Sequence, residues 1–417
     1  MNKLCLILPF FLILFSLFTP LVFSFKNELN YEIIENFNNV PGFYVWNDQI
    51  FVVNGSKLYK SSDGENWTFL YDFRGKGQII AYELFVSSKG YIFVPVDNGT
   101  TVPLYRSIDG GSSFQKVFSC EGYNINFSCS WFWRGFTEDE QGNLLFGVYY
   151  GPHGAYIPAC TPEAFSKPYI WKSSDDGANW VLSFNGTEVN PYLEHVHMVQ
   201  YDIYTKQIYA VVDWNMSVSK TSIYISQDAN NWKLLDTLVR FTTISFDENY
   251  MVLGVETPDF YLRVINKYDL TMRKVYMPSD MFESQYTFWV YDLLYVPNLK
   301  AHIFGSIIKT DGTKPFMCAY YRGKIIKLFD MPPSYGQNAG IRTVSNRLLN
   351  GYIYFVYVNG STRQLCRFKV TSNDLERLYN YWYPIDPQEN LRQQILEWIP
   401  VIVMVALTGI GISFIRR

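Results

Sequence analysis

The stretch WKSSDDGANW, residues Trp171 to Trp180, ends one alternating apolar segment and begins the next. Ser173 and Asp175 can accept hydrogen bonds from nearby backbone N–H groups, and Gly177 can adopt a positive φ. Trp180 then supplies a large apolar side chain at the start of the following segment. The stretch therefore predicts a tight turn between two strands, with an aromatic anchor directly after it.

The same order of serine, aspartate, glycine and an aromatic residue recurs three times. The copies are Ser107, Asp109, Gly111 and Phe114; Ser61, Asp63, Gly64 and Trp67, one residue shorter; and Ser226, Asp228 and Trp232, without the glycine. Successive serines are 46, 66 and 53 residues apart, which indicates a repeat architecture. The pattern resembles the Asp-box, or BNR-repeat, β-propellers, which include sialidases and sortilin-type receptors. In that family the box is a turn at the blade edge, remote from the active site, so the resemblance implies a structural role for these residues.

Between the boxes, strands and turns alternate with almost no helical periodicity before the C-terminal end. If each box joins the third and fourth strands of a unit, seven units begin near residues 43, 81, 131, 195, 241, 288 and 341. Their spacing is that of four-stranded blades, so the sequence predicts an all-β, seven-bladed β-propeller. A six-bladed ring and an immunoglobulin-like tail domain are the alternatives. Tyr31 to Phe37 is expected to pair with the last blade, because an open ring would expose strand edges.

Both ends of the chain are apolar and predict export and membrane attachment. Residues 1–24 carry Lys3 and then a long uncharged run, which is typical of a signal peptide. Residues 398–415 are 18 residues without a charge, which at about 1.5 Å per residue span about 27 Å of bilayer. An uncleaved N-terminal anchor and a buried C-terminal helix are the alternatives. The predicted organisation is a signal peptide at 1–24, a propeller at 25–383, a juxtamembrane linker at 384–397, a transmembrane helix at 398–415 and a cytoplasmic tail at 416–417.

Composition and sequons agree with an exported body. The net charge of −3 gives no support for nucleic acid as a partner. Seven Asn-x-Ser/Thr sequons are candidate N-glycosylation sites: Asn54, Asn66, Asn98, Asn126, Asn185, Asn215 and Asn359. Four of them read Asn-Gly-Ser/Thr, which is also ordinary turn chemistry. All except Asn66 are predicted on the face of the propeller opposite the boxes, where such folds usually hold ligands.

Five cysteines remain once Cys5 leaves with the signal peptide. Disulfides are their expected state outside the cell, and the odd number leaves one thiol unpaired or paired between chains. Cys120 and Cys129 flank one predicted loop nine residues apart, which favours a local disulfide. Cys160 lies on the same predicted face and is the alternative partner for either.

The resemblance to sialidases implies a set of catalytic residues that this chain does not reproduce. Sialidases use a tyrosine paired with glutamate as nucleophile, an aspartate as acid/base, and three arginines that bind the substrate carboxylate. The first of these arginines precedes the first box, yet residues 42–60 contain none and the first arginine of the chain is Arg74. Arg134 is kept only as a ligand-binding candidate. The sequence also lacks Gly-x-Ser-x-Gly, His-Glu-x-x-His and a phosphate-binding glycine loop, so an enzyme is not favoured and no cofactor is predicted.

Histidines supply the candidate ligand site. Glu194, His195 and His197 open the predicted inner strand of the fourth blade, and both imidazoles lie on one face because strand side chains alternate. His153 belongs to a predicted loop of the third blade on the same face of the ring. Neutral imidazoles bind zinc or copper, with Glu194 or Asp213 as a ligand or supporting carboxylate. A hydrogen-bonded packing pair is the alternative, and metal binding stays open at this point.

These patterns together predict a single-pass membrane protein whose propeller lies on the extracytoplasmic side of the cell membrane. Its predicted role is to bind a glycan or a cell-surface partner. A sialidase-like glycoside hydrolase and an assembly scaffold are the alternatives. Neither the ligand nor the oligomeric state follows from the sequence.

We expect protease added to intact cells to remove the body, because Arg416 and Arg417 favour a cytoplasmic C-terminus. An epitope tag placed after Arg417 should survive on a small membrane-bound fragment, detected by immunoblotting. A cytoplasmic protein serves as the control for cell integrity. Protection of the full-length chain in intact cells would contradict this topology.

Overall fold

The computed structural model describes residues 28–34, 37–79, 84–97, 102–119, 130–131, 135–150, 168–214, 220–257, 261–281, 288–308, 312–336 and 339–384. Within these ranges the chain forms seven antiparallel blades, and the inner strand of each lines the centre of a ring. The predicted all-β, seven-bladed propeller is confirmed, and the six-bladed alternative is wrong.

A closing strand and three blades occupy the first half of the chain. They are β1 Tyr31–Ile33; β2 Gly42–Trp46, β3 Gln49–Asn54, β4 Lys57–Ser61 and β5 Thr68–Asp72 in blade 1; β6 Gln78–Ile79, β7 Phe85–Val86, β8 Ile92–Asp97, β9 Leu104–Ser107 and β10 Gln115–Phe118 in blade 2; and β11 Ser130–Trp131, β12 Phe136–Glu138, β13 Leu144–Gly147, β14 Tyr149–Tyr150, β15 Tyr169–Ser173 and β16 Val181–Asn185 in blade 3.

Four further blades and two helices follow in the described residues. They are α1 Gly186–Val189; β17 Leu193–Asp202, β18 Gln207–Trp214, β19 Lys220–Ser226 and β20 Lys233–Val239 in blade 4; β21 Phe241–Phe246, β22 Tyr250–Thr257, β23 Tyr261–Asn266 and β24 Met272–Tyr276 in blade 5; β25 Phe288–Trp289, β26 Leu293–Val296, β27 Ala301–Gly305, β28 Ile307–Ile308, β29 Phe316–Tyr321 and β30 Lys324–Asp330 in blade 6; β31 Ala339–Val344, β32 Tyr352–Asn359 and β33 Thr362–Lys369 in blade 7; and α2 Ser372–Trp382. Single 3-10 turns occur at Ser279–Met281 and Pro297–Leu299.

The inner strands of blades 2, 3 and 6 are each divided into two parts. In blade 6, for example, β25 pairs with β28 while β26 pairs with β27. The sequence predicted that these three units begin near residues 81, 131 and 288. Residues 131 and 288 fall in the first part of the inner strand of blades 3 and 6, and residue 81 falls between the two parts in blade 2. A break or bulge bends a strand and increases its twist, which suits the crowded centre of a ring.

The ring closes by pairing the N-terminal strand with the last blade. β1 is antiparallel to β33, with Tyr31 opposite Phe368 and Ile33 opposite Cys366. Beyond β1 the segment stays attached, because the Leu365 N–H donates to the Phe37 carbonyl at 3.0 Å. The expected pairing of this segment is confirmed. Blade 7 therefore takes its outermost strand, β1, from the opposite end of the chain, and β1 covers the edge that β33 would otherwise expose.

Arg367 on β33 reinforces the closure. Its Nε donates to Glu32 Oε2 on β1 at 2.6 Å, its Nη1 to the Asp63 carbonyl at 3.1 Å and its Nη2 to Glu65 Oε1 at 3.0 Å. The guanidinium also lies 4.3 Å from the centre of the Tyr352 ring. Blade 7, the closing strand and the serine–aspartate turn of blade 1 therefore share one cation.

The four serine–aspartate turns share two hydrogen bonds: the serine Oγ donates to the aspartate Oδ1, and this oxygen accepts a backbone N–H three or four residues further on. In the turn of blade 3, Ser173 Oγ donates to Asp175 Oδ1 at 2.7 Å and accepts from the Gly177 N–H at 2.9 Å. Asp175 Oδ1 also accepts from the Asn179 N–H at 2.8 Å. These bonds lower the pKa of Asp175 to about 2, since the backbone N–H of Asn179 favours the ionised form more than partial burial disfavours it.

Each turn also contacts the preceding blade. A Cβ at Gly177, whose φ is +77°, would overlap the Phe93 ring on β8, so this close approach requires glycine. Basic residues on third strands bond to the backbone of the next turn: Arg106 Nη1 donates to the Asp176 carbonyl and Lys172 Nζ to the Asp228 carbonyl, both at 2.9 Å. Apolar side chains fill the space between neighbouring blades, as where Met198 of blade 4 packs with Leu253 of blade 5.

A C-terminal helix that the sequence did not predict packs on blade 6. α2 begins with a capping box between Thr371 and Asp374, and its Leu375 and Leu378 are buried. Trp382 Nε1 donates to the Lys327 carbonyl on β30 at 3.1 Å. The helix is therefore part of the folded body.

Several predictions fall on residues that the structure does not describe. They concern residues 1–24, 384–397 beyond the first position, 398–417, Asn98, Asn126, Asn215, Cys120, Cys129 and Cys160. No helix among the described residues has the length and apolar character needed to cross a bilayer. Cys318 and Cys366, which are described, are buried free thiols.

Replacing Arg367 tests the closure. Arg367→Met should lower the free energy of unfolding by about 1–3 kcal/mol, because charge-assisted hydrogen bonds are lost while the released carboxylates can be solvated. The matched control is Arg322→Met, which removes an exposed 2.8 Å ion pair to Glu376 and should cost less than about 1 kcal/mol. Urea unfolding followed by tryptophan fluorescence measures both. Equal losses would show that Arg367 has no special role in closure.

Candidate functional site

The predicted histidines lie at the start of β17, the inner strand of blade 4. β17 pairs with β18, and the register shifts twice, between Leu193 and His195 and between Val196 and Met198. Side chains two residues apart on a regular strand are about 7 Å apart. The bulged backbone instead brings His195 and His197 together, with ring centres 4.7 Å apart and the two Nε2 atoms 3.3 Å apart.

Asp213, at the paired position on β18, faces both imidazoles. Its Oδ2 is 3.7 Å from His195 Nε2 and 3.5 Å from His197 Nε2, and its side chain is 2% exposed. Thr221 Oγ1 donates to the other oxygen, Oδ1, at 2.6 Å. Burial opposes ionisation of this carboxyl, but the hydrogen bond from His197 and the charges of His197, His195 and Arg240 outweigh it and lower the pKa of Asp213 to about 2.

Blade 5 adds two charged side chains to the same cluster. Arg240 directly precedes β21, and its Nε lies 3.2 Å from Asp213 Oδ2 and 3.0 Å from Glu256 Oε2. Glu256 lies near the end of β22 and its side chain is 6% exposed. One guanidinium therefore joins carboxylates from two neighbouring blades.

Glu194 lies behind His195. Its Oε2 is 3.9 Å from His195 Nδ1, and this buried oxygen makes no hydrogen bond to the described residues. Burial, together with the nearby negative charge of Asp213, raises the pKa of Glu194 to about 7, although Arg240 opposes the shift.

The structure thus brings together Glu194, His195, His197 and Asp213, as expected, while His153 and Arg134 lie outside the described residues. Sequence reasoning did not identify Arg240, Glu256 or Thr221. Thr221 sits opposite Asp213 in the β18–β19 register, so a correct strand alignment would have found it. No comparable signal exists for Arg240 and Glu256, because their position depends on how blade 5 packs against blade 4.

The centre of the ring is a cavity of about 1270 Å³ near the other end of β17. The turns between first and second strands surround it, so it lies at the end that carries the serine–aspartate turns. Partly exposed aromatic side chains line it, among them Tyr44, Trp46, Tyr201, Tyr204 and Tyr295. The histidine cluster and the cavity therefore occupy opposite ends of one inner strand.

The carboxylates that line this cavity already have partners. Glu138 accepts from the Ser88 backbone N–H at 2.6 Å, which joins blades 3 and 2. Glu140 pairs with Lys206 at 2.9 Å, and Asp202 pairs with the fully buried Lys267 at 2.8 Å. The fourth, Asp139, caps its own turn, accepting the Gln141 and Asn143 N–H groups. These four acidic groups hold turns and blades in place.

No protein-family model matches the sequence, and no curated protein matches it. Among solved structures, a virginiamycin B lyase from Staphylococcus aureus aligns with 82% of this chain and 99% of its own at a TM-score of 0.52 and 10% identity. A chain of the mitotic checkpoint complex aligns with 84% of this chain and 97% of its own at 0.52 and 12%. A GH74 xyloglucanase from Xanthomonas campestris aligns with 79% of this chain and 52% of its own at 0.53 and 13%. At these identities the likeness shows the propeller fold alone.

The charge cluster gives a stability prediction. Arg240→Met should lower the free energy of unfolding by about 3–5 kcal/mol, because two buried carboxylates lose the guanidinium that they share. The double variant Arg240→Met with Glu256→Gln should lose less free energy of unfolding than the sum of the losses of the two single variants, since the two residues are in direct contact. Lys233→Met, at an exposed position on β20 of the neighbouring blade 4, is the control. Strict additivity in urea unfolding would contradict the coupling.

Proposed function

We propose that the protein is a membrane-anchored, extracytoplasmic Asp-box propeller that binds a glycan or a cell-surface partner. The apolar segments at 1–24 and 398–415, the arginines after the second of them, and the sequons support this location. Of the sequons in the described residues, Asn54 and Asn359 lie at turns between second and third strands, on the face away from the boxes. We also propose that the protein lacks the catalytic residues of sialidases, because residues 42–60 contain no arginine.

The central cavity is the observation that carries the binding role. Its volume of about 1270 Å³ exceeds the range of about 300–1,000 Å³ that is typical of small-molecule pockets, so it has room for several sugar rings. Partly exposed tyrosine and tryptophan rings at its wall offer flat apolar surfaces with polar edges. A chain of sugar rings, with apolar faces and hydroxyl edges, fits this lining.

The cavity supports binding better than hydrolysis. A glycosidase needs two carboxyl groups placed across the scissile bond, one to donate a proton and one to attack or to activate water. Each carboxylate of this cavity is instead engaged by a backbone N–H or a lysine. A glycoside hydrolase of another type remains the second candidate, favoured by the fold likeness to the xyloglucanase.

The test presents the full chain, purified in a detergent without a sugar headgroup, to a glycan array while released sugars are measured in parallel. We expect retention without turnover. Trp46→Leu and Tyr204→Leu should weaken binding about 2- to 12-fold, the equivalent of ring contacts of about 0.5–1.5 kcal/mol. Tyr268→Leu is the control, because this ring is 72% exposed and does not line the cavity.

Three outcomes separate the candidates. Retention that both cavity variants weaken supports the binding module. Released sugar would replace it with the glycoside hydrolase. If both cavity variants retain glycans as well as the parent chain does, the cavity is not the binding site. If the parent chain retains no glycan, only a cell-surface partner remains, and it would be sought by cross-linking on cells.

A further inference from the structure

We propose that His195, His197 and Asp213 bind one zinc ion through Nε2, Nε2 and Oδ2. These three atoms belong to buried residues and lie within 4.8 Å of one another. The site is separate from the central cavity and does not depend on the proposed glycan-binding role. Two imidazoles and one carboxylate are a donor set that zinc accepts readily.

The distances between the donor atoms agree with a tetrahedral ion. The three separations are 3.3 Å between the imidazole nitrogens and 3.7 and 3.5 Å from each to the carboxylate oxygen. Ligand atoms held about 2.0–2.2 Å from zinc at tetrahedral angles are about 3.3–3.6 Å apart. Adjacent ligands of an octahedral ion at about 2.1 Å would be only about 3.0 Å apart, so the observed spacing favours zinc over magnesium.

The backbone preforms this arrangement. All three ligands lie on the β17–β18 hairpin, where His195 is directly opposite Asp213. The two bulges of β17 bring the imidazoles to one point, and such bulges commonly redirect a side chain beside a functional site. Because both strands are held in a four-stranded blade, binding requires little rearrangement of the main chain.

Neighbouring groups orient the ligands. Thr221 Oγ1 holds Asp213 Oδ1 at 2.6 Å, so that Oδ2 faces both histidines and also Arg240 Nε at 3.2 Å. Glu194 Oε2 lies 3.9 Å from His195 Nδ1, the nitrogen that faces away from the donor triangle, and this oxygen is buried without a hydrogen bond to the described residues. A carboxylate behind a ligating imidazole is a common feature of metal sites, since it fixes the tautomer and the ring orientation.

Three protein ligands leave a fourth tetrahedral position. In zinc proteins that position holds water or a bound ligand atom, whereas purely structural sites fill all four positions with side chains. The side chains of His195, Asp213 and His197 are 1%, 2% and 4% exposed, so the ion would be largely shielded from bulk solvent. We assign the fourth position to a water molecule.

The test uses the full chain, stripped with a chelator and dialysed, and titrated with zinc alone. We expect one zinc per chain by elemental analysis, a higher thermal midpoint with zinc than without it, and a tetrahedral visible spectrum when Co²⁺ replaces zinc. His195→Gln combined with His197→Gln should weaken zinc binding at least about 100-fold, and Thr221→Val should weaken it about 10-fold by releasing Asp213.

His302→Gln is the matched control. His302 is also buried and hydrogen-bonded, to Ser245 and Asp247 at 3.0 Å each, but it lies in blade 6, so zinc binding should be unchanged. Absence of stoichiometric zinc binding by the parent chain would overturn the proposal, as would undiminished binding by the double variant. If the double variant does not fold, Asp213→Asn and the Co²⁺ spectrum of the parent decide, and an octahedral spectrum or unchanged affinity counts against the site.

Discussion

The pairing of β1 with β33 is the constraint on which the other parts of this structure depend. A propeller blade buries both faces of its sheet against its neighbours. A last blade without its outermost strand would therefore lose contacts with both neighbouring blades at once. The strand β1 completes blade 7, and Arg367 bonds simultaneously to that strand and to the serine–aspartate turn of blade 1. Closure thus links the two ends of the body and fixes the angle between its first and last blades.

A closed ring gives side chains from different blades fixed relative positions. Arg240 of blade 5 can meet Asp213 of blade 4 only because the apolar layer between these blades sets their separation. The same applies at the opposite end of β17, where Asp202 of blade 4 meets Lys267 of blade 5. Buried charges of this kind cost free energy unless they are paired, so each pair also opposes slippage of one blade against the next.

The polar side chains at the two ends of β17 differ in their interactions. At the cavity end, the acidic side chains are engaged in turns and contacts between blades, and the partly exposed aromatic rings are the groups that a ligand would meet. At the other end, two imidazole nitrogens and a carboxylate oxygen converge on a single point. The first arrangement suits recognition of an extended molecule, and the second suits a single ion.

The sequence by itself favoured seven blades over six and predicted the closing strand and the turn chemistry, because these depend on local patterns: alternation with period two, and serine and aspartate bonding to a nearby backbone. It also placed His195 and His197 on one strand face. Only the tertiary structure decided that the imidazoles converge, since bulges depend on pairing with β18. It alone brought in Arg240 and Glu256, and it alone located the cavity, because packing between blades distant in sequence leaves no periodic signal along the chain.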